Sequence, residues 1–313
     1  MRPFRFLAEA RAIANGRTLA ADARRAEAMG FSVLVIPDHL IEQLGPIPAM
    51  ATIAAATERI RIAPFVLNND LRHPAVLAQD LASLDVLSDG RLEIALGAGW
   101  NEPEYRAIGL PFETTSVRVA RLEESIAVLK GAFGSEPFSF AGTYYTITEL
   151  DGQPKPVQRP HPPFFIGGGG KRTLSIAARE ANTVGLAPRI LSGQRPDPRS
   201  ITLAATAEKI AWVREAAGDR FDDLEFNVYP SVMSPVITNH ARAEAATVAD
   251  ELRKRTGYGL SVDEVLESPS LFIGSVDGFV DKFQMLRERF GITSFMLGEI
   301  DELAPVLDRL VGS

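Results

Sequence analysis

Short apolar runs alternate along this chain with longer stretches whose apolar positions recur at helical spacing. Phe4-Arg5-Phe6-Leu7 reads as a first strand. A helix follows from Arg17 to Met29, with Leu19, Ala20, Ala23 and Ala26 on one face and Gly30 as its stop. Val33-Leu34-Val35-Ile36 is apolar on both faces, as a strand in a parallel sheet covered by helices must be. The rhythm continues through a helix at Ile47 to Thr57, the run Ile60 to Val66, and a helix that Pro74 opens and Leu87 ends. Ser88-Asp89-Gly90 turns into Leu92-Glu93-Ile94-Ala95-Leu96, and a long helix spans Thr115 to Ala132.

The segment from Phe138 to Ile147 breaks the alternation and reads as a small β-hairpin. A proline-rich connection, Gly152 to Pro163, leads back to strand Phe164-Phe165-Ile166, helix Lys171 to Ala181 and strand Val184-Gly185-Leu186. Residues 188–199 are loop-like. A helix at Thr202 to Ala217, a strand at Leu224 to Tyr229, helices over 240–256 and 276–290, strand Ser294 to Leu297 and a final helix Leu303 to Leu310 complete the pattern. About eight strands with intervening helices predict a (β/α)8 barrel with inserted segments. An open doubly wound sheet is the competing arrangement, but the alternation persists from end to end. No break in composition divides the chain, so residues 1–313 are expected to form a single domain.

At 46% hydrophobic the chain can bury a large core, and no apolar run approaches the ~20 residues of a membrane span. Its first residues lack the apolar core of a secretory signal, which points to a cytoplasmic location. Cysteine is absent, which removes disulfides and thiolate metal sites. A net charge of −7 offers nothing to nucleic acid. The four histidines form neither H-x-H nor H-E-x-x-H, so a metal-dependent hydrolase finds no support.

Three segments carry candidate chemistry. Gly167-Gly168-Gly169-Gly170, then Lys171-Arg172, stand between a strand and a helix. Bare backbone amides and a helix N-terminus suit phosphate, although the run fits neither the Walker A nor the G-x-G-x-x-G pattern. Pro37-Asp38-His39 follows the second strand, where a barrel opens into its active site. The imidazole of His39 can exchange a proton near neutral pH, while Asp38 either fixes its tautomer or caps the next segment. After the fourth strand, Gly97 and Gly99 permit close packing or close ligand approach, and Trp100 offers an apolar wall for a flat ring or packs into the core. Of Glu102 and Glu104, one is expected to brace a loop and the other to be solvated. His73 is expected to brace the turn at Pro74, and His161 to be a loop residue.

Together these pieces resemble the luciferase-like flavin and deazaflavin oxidoreductases. The resemblance rests on Val35-Ile36-Pro37-Asp38-His39, Arg72-His73-Pro74-Ala75-Val76-Leu77-Ala78-Gln79 and Leu87-Ser88-Asp89-Gly90-Arg91-Leu92. It continues in Gly97-Ala98-Gly99-Trp100, Glu104-Tyr105, Arg121-Leu122-Glu123-Glu124, Pro160-His161-Pro162-Pro163 and the glycine run. It implies a barrel that holds either coenzyme F420 or FMN, and the Asp38-His39 pair is similar to that of the F420-dependent branch. His39 would then lie beside the deazaflavin ring as the leading catalytic candidate, with Asp38. The resemblance adds Phe65, Val66, Asn68, Gly97, Gly99, Trp100, Gly167 to Gly170, Lys171 and Arg172 as cofactor-binding residues, and places a non-proline cis peptide at Pro64-Phe65 or Phe65-Val66.

The expected activity is hydride transfer between F420 and a small organic molecule, in a chain that acts alone or as a homodimer. An FMN-dependent monooxygenase and a non-catalytic flavin-binding barrel are the alternatives. Trp100 stands where F420-dependent sugar-phosphate dehydrogenases of the family carry a proton-donating glutamate, which argues against that substrate. A second departure, Asn182-Thr183 in place of aspartate and glycine, is expected to be structural.

Overall fold

A computed structural model describes residues 2–10, 15–191, 195–230, 232–300 and 304–310. Among the described residues, nine parallel strands form one nearly closed barrel. By contact the chain divides into two compact units: Ala10–Glu27 with Val33–Ile166, and Met1–Glu9 with Ala28–Ser32 and Gly167–Ser313.

In the first of these units, strand Val33–Ile36 is buried along its whole length and pairs with Arg61–Pro64, Val33 opposite Arg61 and Ile36 opposite Pro64. The run expected at Ile60 to Val66 does not continue as one strand. It stops at Pro64 and resumes as Leu67–Asn68. Between the two pieces the Phe65–Val66 peptide is cis, one of the two positions that the resemblance implied. The chain changes partner there: the Phe65 amide still donates to the Ile36 carbonyl at 2.7 Å, whereas Leu67 and Asn68 pair with Leu96 and Gly97 of strand Ile94–Gly97. One expected strand thus becomes two, which accounts for nine rather than eight. Ile94 to Leu96 pair in turn with Phe164 to Ile166.

Helices Pro74–Leu87 and Thr115–Phe133 pack against each other, and Leu77, Leu81, Leu84, Leu122, Ile126, Leu129 and Phe133 on them are buried. The hairpin is present as Phe138–Ala141 against Thr146–Leu150. Glu102–Ala107 forms a short helix that the periodicity did not reveal.

In the other unit, Arg5–Glu9 pairs with Ile292–Glu299, which pairs with Glu225–Val228, which pairs with Thr183–Leu186. The rings of Phe6, Phe272, Phe283 and Phe295 interlock here, with the Phe283 and Phe295 centroids 4.5 Å apart. Such burial of aromatic area dominates the energetics of a core. A second apolar cluster joins helix Ala241–Thr256 to the unforeseen helix Val262–Glu267 through Val248, Leu252, Val265 and Leu271. The loop-like stretch 188–199 contains a short antiparallel pair, Ile190–Leu191 with Arg195–Pro196. The final helix runs Ala304–Leu310, and its expected first residue, Leu303, lies outside the described residues.

Candidate active site

His39 stands just past the carboxyl end of strand Val33–Ile36. Its Nδ1 lies 3.0 and 3.2 Å from the two carboxylate oxygens of Glu104. The same carboxylate accepts the Leu40 amide at 3.2 Å. Glu104 is buried on the short helix Glu102–Ala107, while Glu102 is solvated and pairs with Arg106. The expected division of labour between these two glutamates therefore holds, and Glu104 is the one that braces. An ionised carboxylate only accepts hydrogen bonds, so this contact puts the ring proton on Nδ1 and leaves Nε2 for a ligand.

Asp38 does not orient His39. Arg72 grips it in a bidentate pair, Nη1 to Oδ2 at 2.6 Å and Nη2 to Oδ1 at 3.0 Å, and the Asn68 amide donates to Oδ2 at 2.9 Å. Of the two roles open to Asp38, the structure shows the bracing one. It ties the end of the second strand to the end of the third. The orienting role falls to Glu104, 65 residues further along the chain.

Trp100 sets its ring edge-on to His39, with centroids 5.7 Å apart, and remains 46% exposed. It is not a core residue. An indole left open to solvent beside an imidazole is the wall that a flat ligand requires. Asn68 is buried, and its Oδ1 accepts the Tyr105 hydroxyl at 2.9 Å and the Asp70 amide at 3.1 Å. Tyr105 also reaches Asp70, which is paired with Arg121 at 3.0 Å. Burial, reinforced by Asp70, pushes the Tyr105 phenol well above its ordinary value, so it stays a donor.

Gly97 and Gly99 have structural reasons. A Cβ on Gly97 would lie 2.7 Å from Val66, and one on Gly99 would lie 1.9 Å from the Tyr105 hydroxyl, on a backbone with φ +76°. Of the two options for these glycines, close packing is the one observed. Phe65 and Val66 are partly buried at the strand break, and the Phe65 ring lies 5.1 Å from that of Phe165. His73 caps helix Pro74–Leu87 by accepting the Ala75 amide, and the His161 Nδ1 contacts the Pro162 carbonyl, as expected of a turn brace and a loop residue.

The glycine run belongs to the other unit from Gly167 onward. Its members differ. The Gly168 carbonyl accepts the Ala187 amide at 3.0 Å, and a Cβ there would meet Thr173 at 2.6 Å. A Cβ on Gly169 would meet the Pro188 carbonyl oxygen at 2.3 Å. Gly170 is another matter: its φ is −110°, and nothing lies within 4 Å of its Cβ position. Neither packing nor backbone conformation demands glycine at this position, so the bare space is available to a ligand. Gly170 caps helix Lys171–Glu180 without a side-chain bond, and the first turn holds no acid but two cations, Lys171 and Arg172. Cations at a helix N-terminus oppose the dipole, which an anion would reverse. Lys171 meets Glu215 at 2.8 Å on the exposed surface, an ion pair of little worth. Gly167 is partly buried and Arg172 exposed.

Below this run, Lys209 is buried and donates to the carbonyls of Ala187 at 2.6 Å and Ser200 at 2.7 Å. Burial, with Arg189 nearby, pushes its ammonium down to about 8. No local pattern announced Lys209. Nor did the sequence assign roles to Arg72, Tyr105 or Arg121, or pair Glu104 with His39, although each lay in a motif that the resemblance used.

The sequence signature of the luciferase-like monooxygenase family matches residues 3–289. The chain belongs to that family. Among curated relatives, an FMNH(2)-dependent dimethylsulfone monooxygenase of Pseudomonas putida is 38% identical over 125 residues, 40% of this chain and 34% of its own length. An F420-dependent glucose-6-phosphate dehydrogenase of Microbacterium testaceum is 31% identical over 164 residues, 50% of this chain and 48% of its own length. The chain therefore spans a half or less of each of these relatives. Among solved structures, the coenzyme F420-dependent tetrahydromethanopterin reductase of Methanopyrus kandleri superposes with a TM-score of 0.75 at 20% identity, covering 99% of this chain and 98% of that one. At that identity the likeness is one of fold. No helix of this family member, among the described residues, is long and apolar enough to cross a membrane.

Proposed function

We propose that this protein is an F420-dependent oxidoreductase of the luciferase-like monooxygenase family, one catalytic domain acting on a small organic molecule. The observation that carries the reading is the Glu104–His39 pair beside the exposed ring of Trp100. Bound F420 would supply or accept a hydride, the chemistry that the protein itself lacks. The chain's share is the proton. With Nδ1 held by Glu104, His39 as the imidazolium gives its Nε2 proton to the substrate's heteroatom in the reducing direction, and as the neutral ring takes one there in the oxidising direction. Hydride and proton together make a balanced two-electron step. Asp38 with Arg72, and Tyr105 with Asn68 and Asp70, hold the surrounding loops so that the imidazole keeps its aim.

The residues present fit such a cofactor. Trp100 offers an uncovered aromatic face, and Gly170 offers bare backbone at a helix start with Lys171 and Arg172 beside it. An F420-dependent relative matched over half of the chain supports the deazaflavin. A second reading, an FMN-dependent monooxygenase, draws on the 38% identity to an FMNH(2)-dependent relative.

The test is to incubate the protein with F420 and a panel of alcohols, and with reduced F420 and a panel of carbonyl compounds, following deazaflavin absorbance. Turnover of at least one compound, lost in His39→Ala, is expected. Oxygen-dependent consumption of reduced FMN with no F420 turnover would favour the monooxygenase. Binding of either cofactor without turnover across the panel would make the chain a carrier.

A further inference from the structure

Three large apolar side chains are left open around His39. Leu40 is 51% exposed, Ile41 63% and Trp100 46%. Exposed apolar residues scattered singly need no explanation, but a group at a candidate catalytic residue does. The Leu40 backbone N–H is anchored there by its hydrogen bond to the Glu104 carboxylate, and Trp100 by its edge contact with the imidazole.

The charges reaching this cluster are already matched. Arg72 is spent on Asp38 and Arg121 on Asp70. Arg118 donates to the carbonyls of Gly99 and Glu113 and lies 3.9 Å over the Phe112 ring. Two guanidiniums thus pair with two carboxylates, Glu104 holds the His39 imidazole, and Arg118 is held by carbonyl oxygens. An anionic substrate bound here would either compete with buried carboxylates for these arginines or bring an uncompensated charge beside Glu104, and both are costly.

Resting on the assignment of His39 above, we infer that the substrate of this site is an uncharged, largely apolar molecule with a single polar group for the Nε2 of His39. A sugar phosphate or a carboxylate does not suit it. Leu40 and Ile41 are its specificity-determining residues, with the exposed Trp100 ring shared between substrate and cofactor.

The experiment uses the uncharged fluorescent probe N-phenyl-1-naphthylamine on the intact protein. Wild type is expected to bind it with a blue-shifted emission. Trp100→Ala and Leu40→Asn should each weaken binding by about tenfold, the value of one lost apolar contact surface. Val76→Asn, which alters an equally exposed apolar residue elsewhere, should leave it unchanged. Benzaldehyde should displace the probe, whereas 4-carboxybenzaldehyde and glucose 6-phosphate should not. Unaltered affinity in both site variants, or displacement by the anions at the same concentration as benzaldehyde, would overturn the inference. Far-UV circular dichroism confirms that each variant is folded. F420 binding is measured on the same samples: its failure strikes at the proposed function, while the probe still decides the substrate class.

Discussion

The surroundings of His39 and the surroundings of Lys209 hold buried charge differently. Around His39 acids are answered by arginines: Asp38 by Arg72, Asp70 by Arg121. Around the glycine run the buried cation, Lys209, is answered by backbone carbonyls, and the exposed cations Lys171 and Arg172 crowd a helix N-terminus. The first arrangement is closed. Its charges are spent on one another, and what remains is an aimed imidazole among apolar side chains. The second is open. The first turn of its helix holds no acidic residue, and the Cβ position of Gly170 faces open space. The contrast teaches a division of tasks: one region suits proton handling on a neutral molecule, and the other suits an anion.

The largest effect that would sharpen this contrast is at His39. His39→Ala should lower turnover by about 10²–10⁴ while changing cofactor affinity less. His39→Asn, which keeps a hydrogen-bond donor, should recover part of the loss if polarisation suffices, and little if the proton must move. Wild-type turnover in the alanine variant would reduce His39 to a pocket wall and move the search to Glu9 or Asn68.

Next in size is Glu104→Gln. It keeps an acceptor for Nδ1 but removes the charge that favours imidazolium. Turnover should fall roughly tenfold or more, as when other residues that orient a working histidine are altered. The pH profile of the rate should shift as well, which a merely structural role would not cause.

The glycine run gives a smaller effect on a different quantity. Gly170→Val adds a side chain where the protein has none, so far-UV circular dichroism should be unchanged while cofactor affinity drops by about tenfold. Gly169→Val, by contrast, drives a side chain into the Pro188 carbonyl and should cost thermal stability. Equal affinities in Gly170→Val and wild type would remove phosphate from the account of this loop.

The smallest effect concerns Lys209. An unfolded lysine keeps its proton to about pH 10.5, whereas the buried one releases it near 8. Between those values the unfolded chain binds more protons, so stability rises with pH. The neutral amine still has two hydrogens for Ala187 and Ser200. Lys209→Met should be less stable throughout, and its deficit should widen by about 1–2 kcal/mol from about pH 7.5 to about pH 9.5. Calorimetric melting of both proteins at the two pH values checks this, and a deficit that shrinks would contradict it.

Strand and helix positions were legible because each depends on a local period. Val33-Leu34-Val35-Ile36 needs no distant information to read as a buried strand. The candidate site was legible only in its local part. His39 and the glycine run announced themselves by their place after strands, but their partners lie far off in sequence: Glu104 is 65 residues from His39, and Arg72 is 34 from Asp38. No pattern within a segment encodes such pairs. The glycines misled in part for a related reason. Gly97, Gly99 and Gly169 are bare to make room for Val66, Tyr105 and Pro188, which only the folded chain brings near.

The central claim is that this chain takes a deazaflavin and uses His39 for the accompanying proton. Titrating the purified protein with F420 and, separately, with FMN, while following the fluorescence of each cofactor, tests it most directly. Saturable binding of F420 that excess FMN fails to displace is expected. Saturable binding of FMN with none of F420 would contradict it.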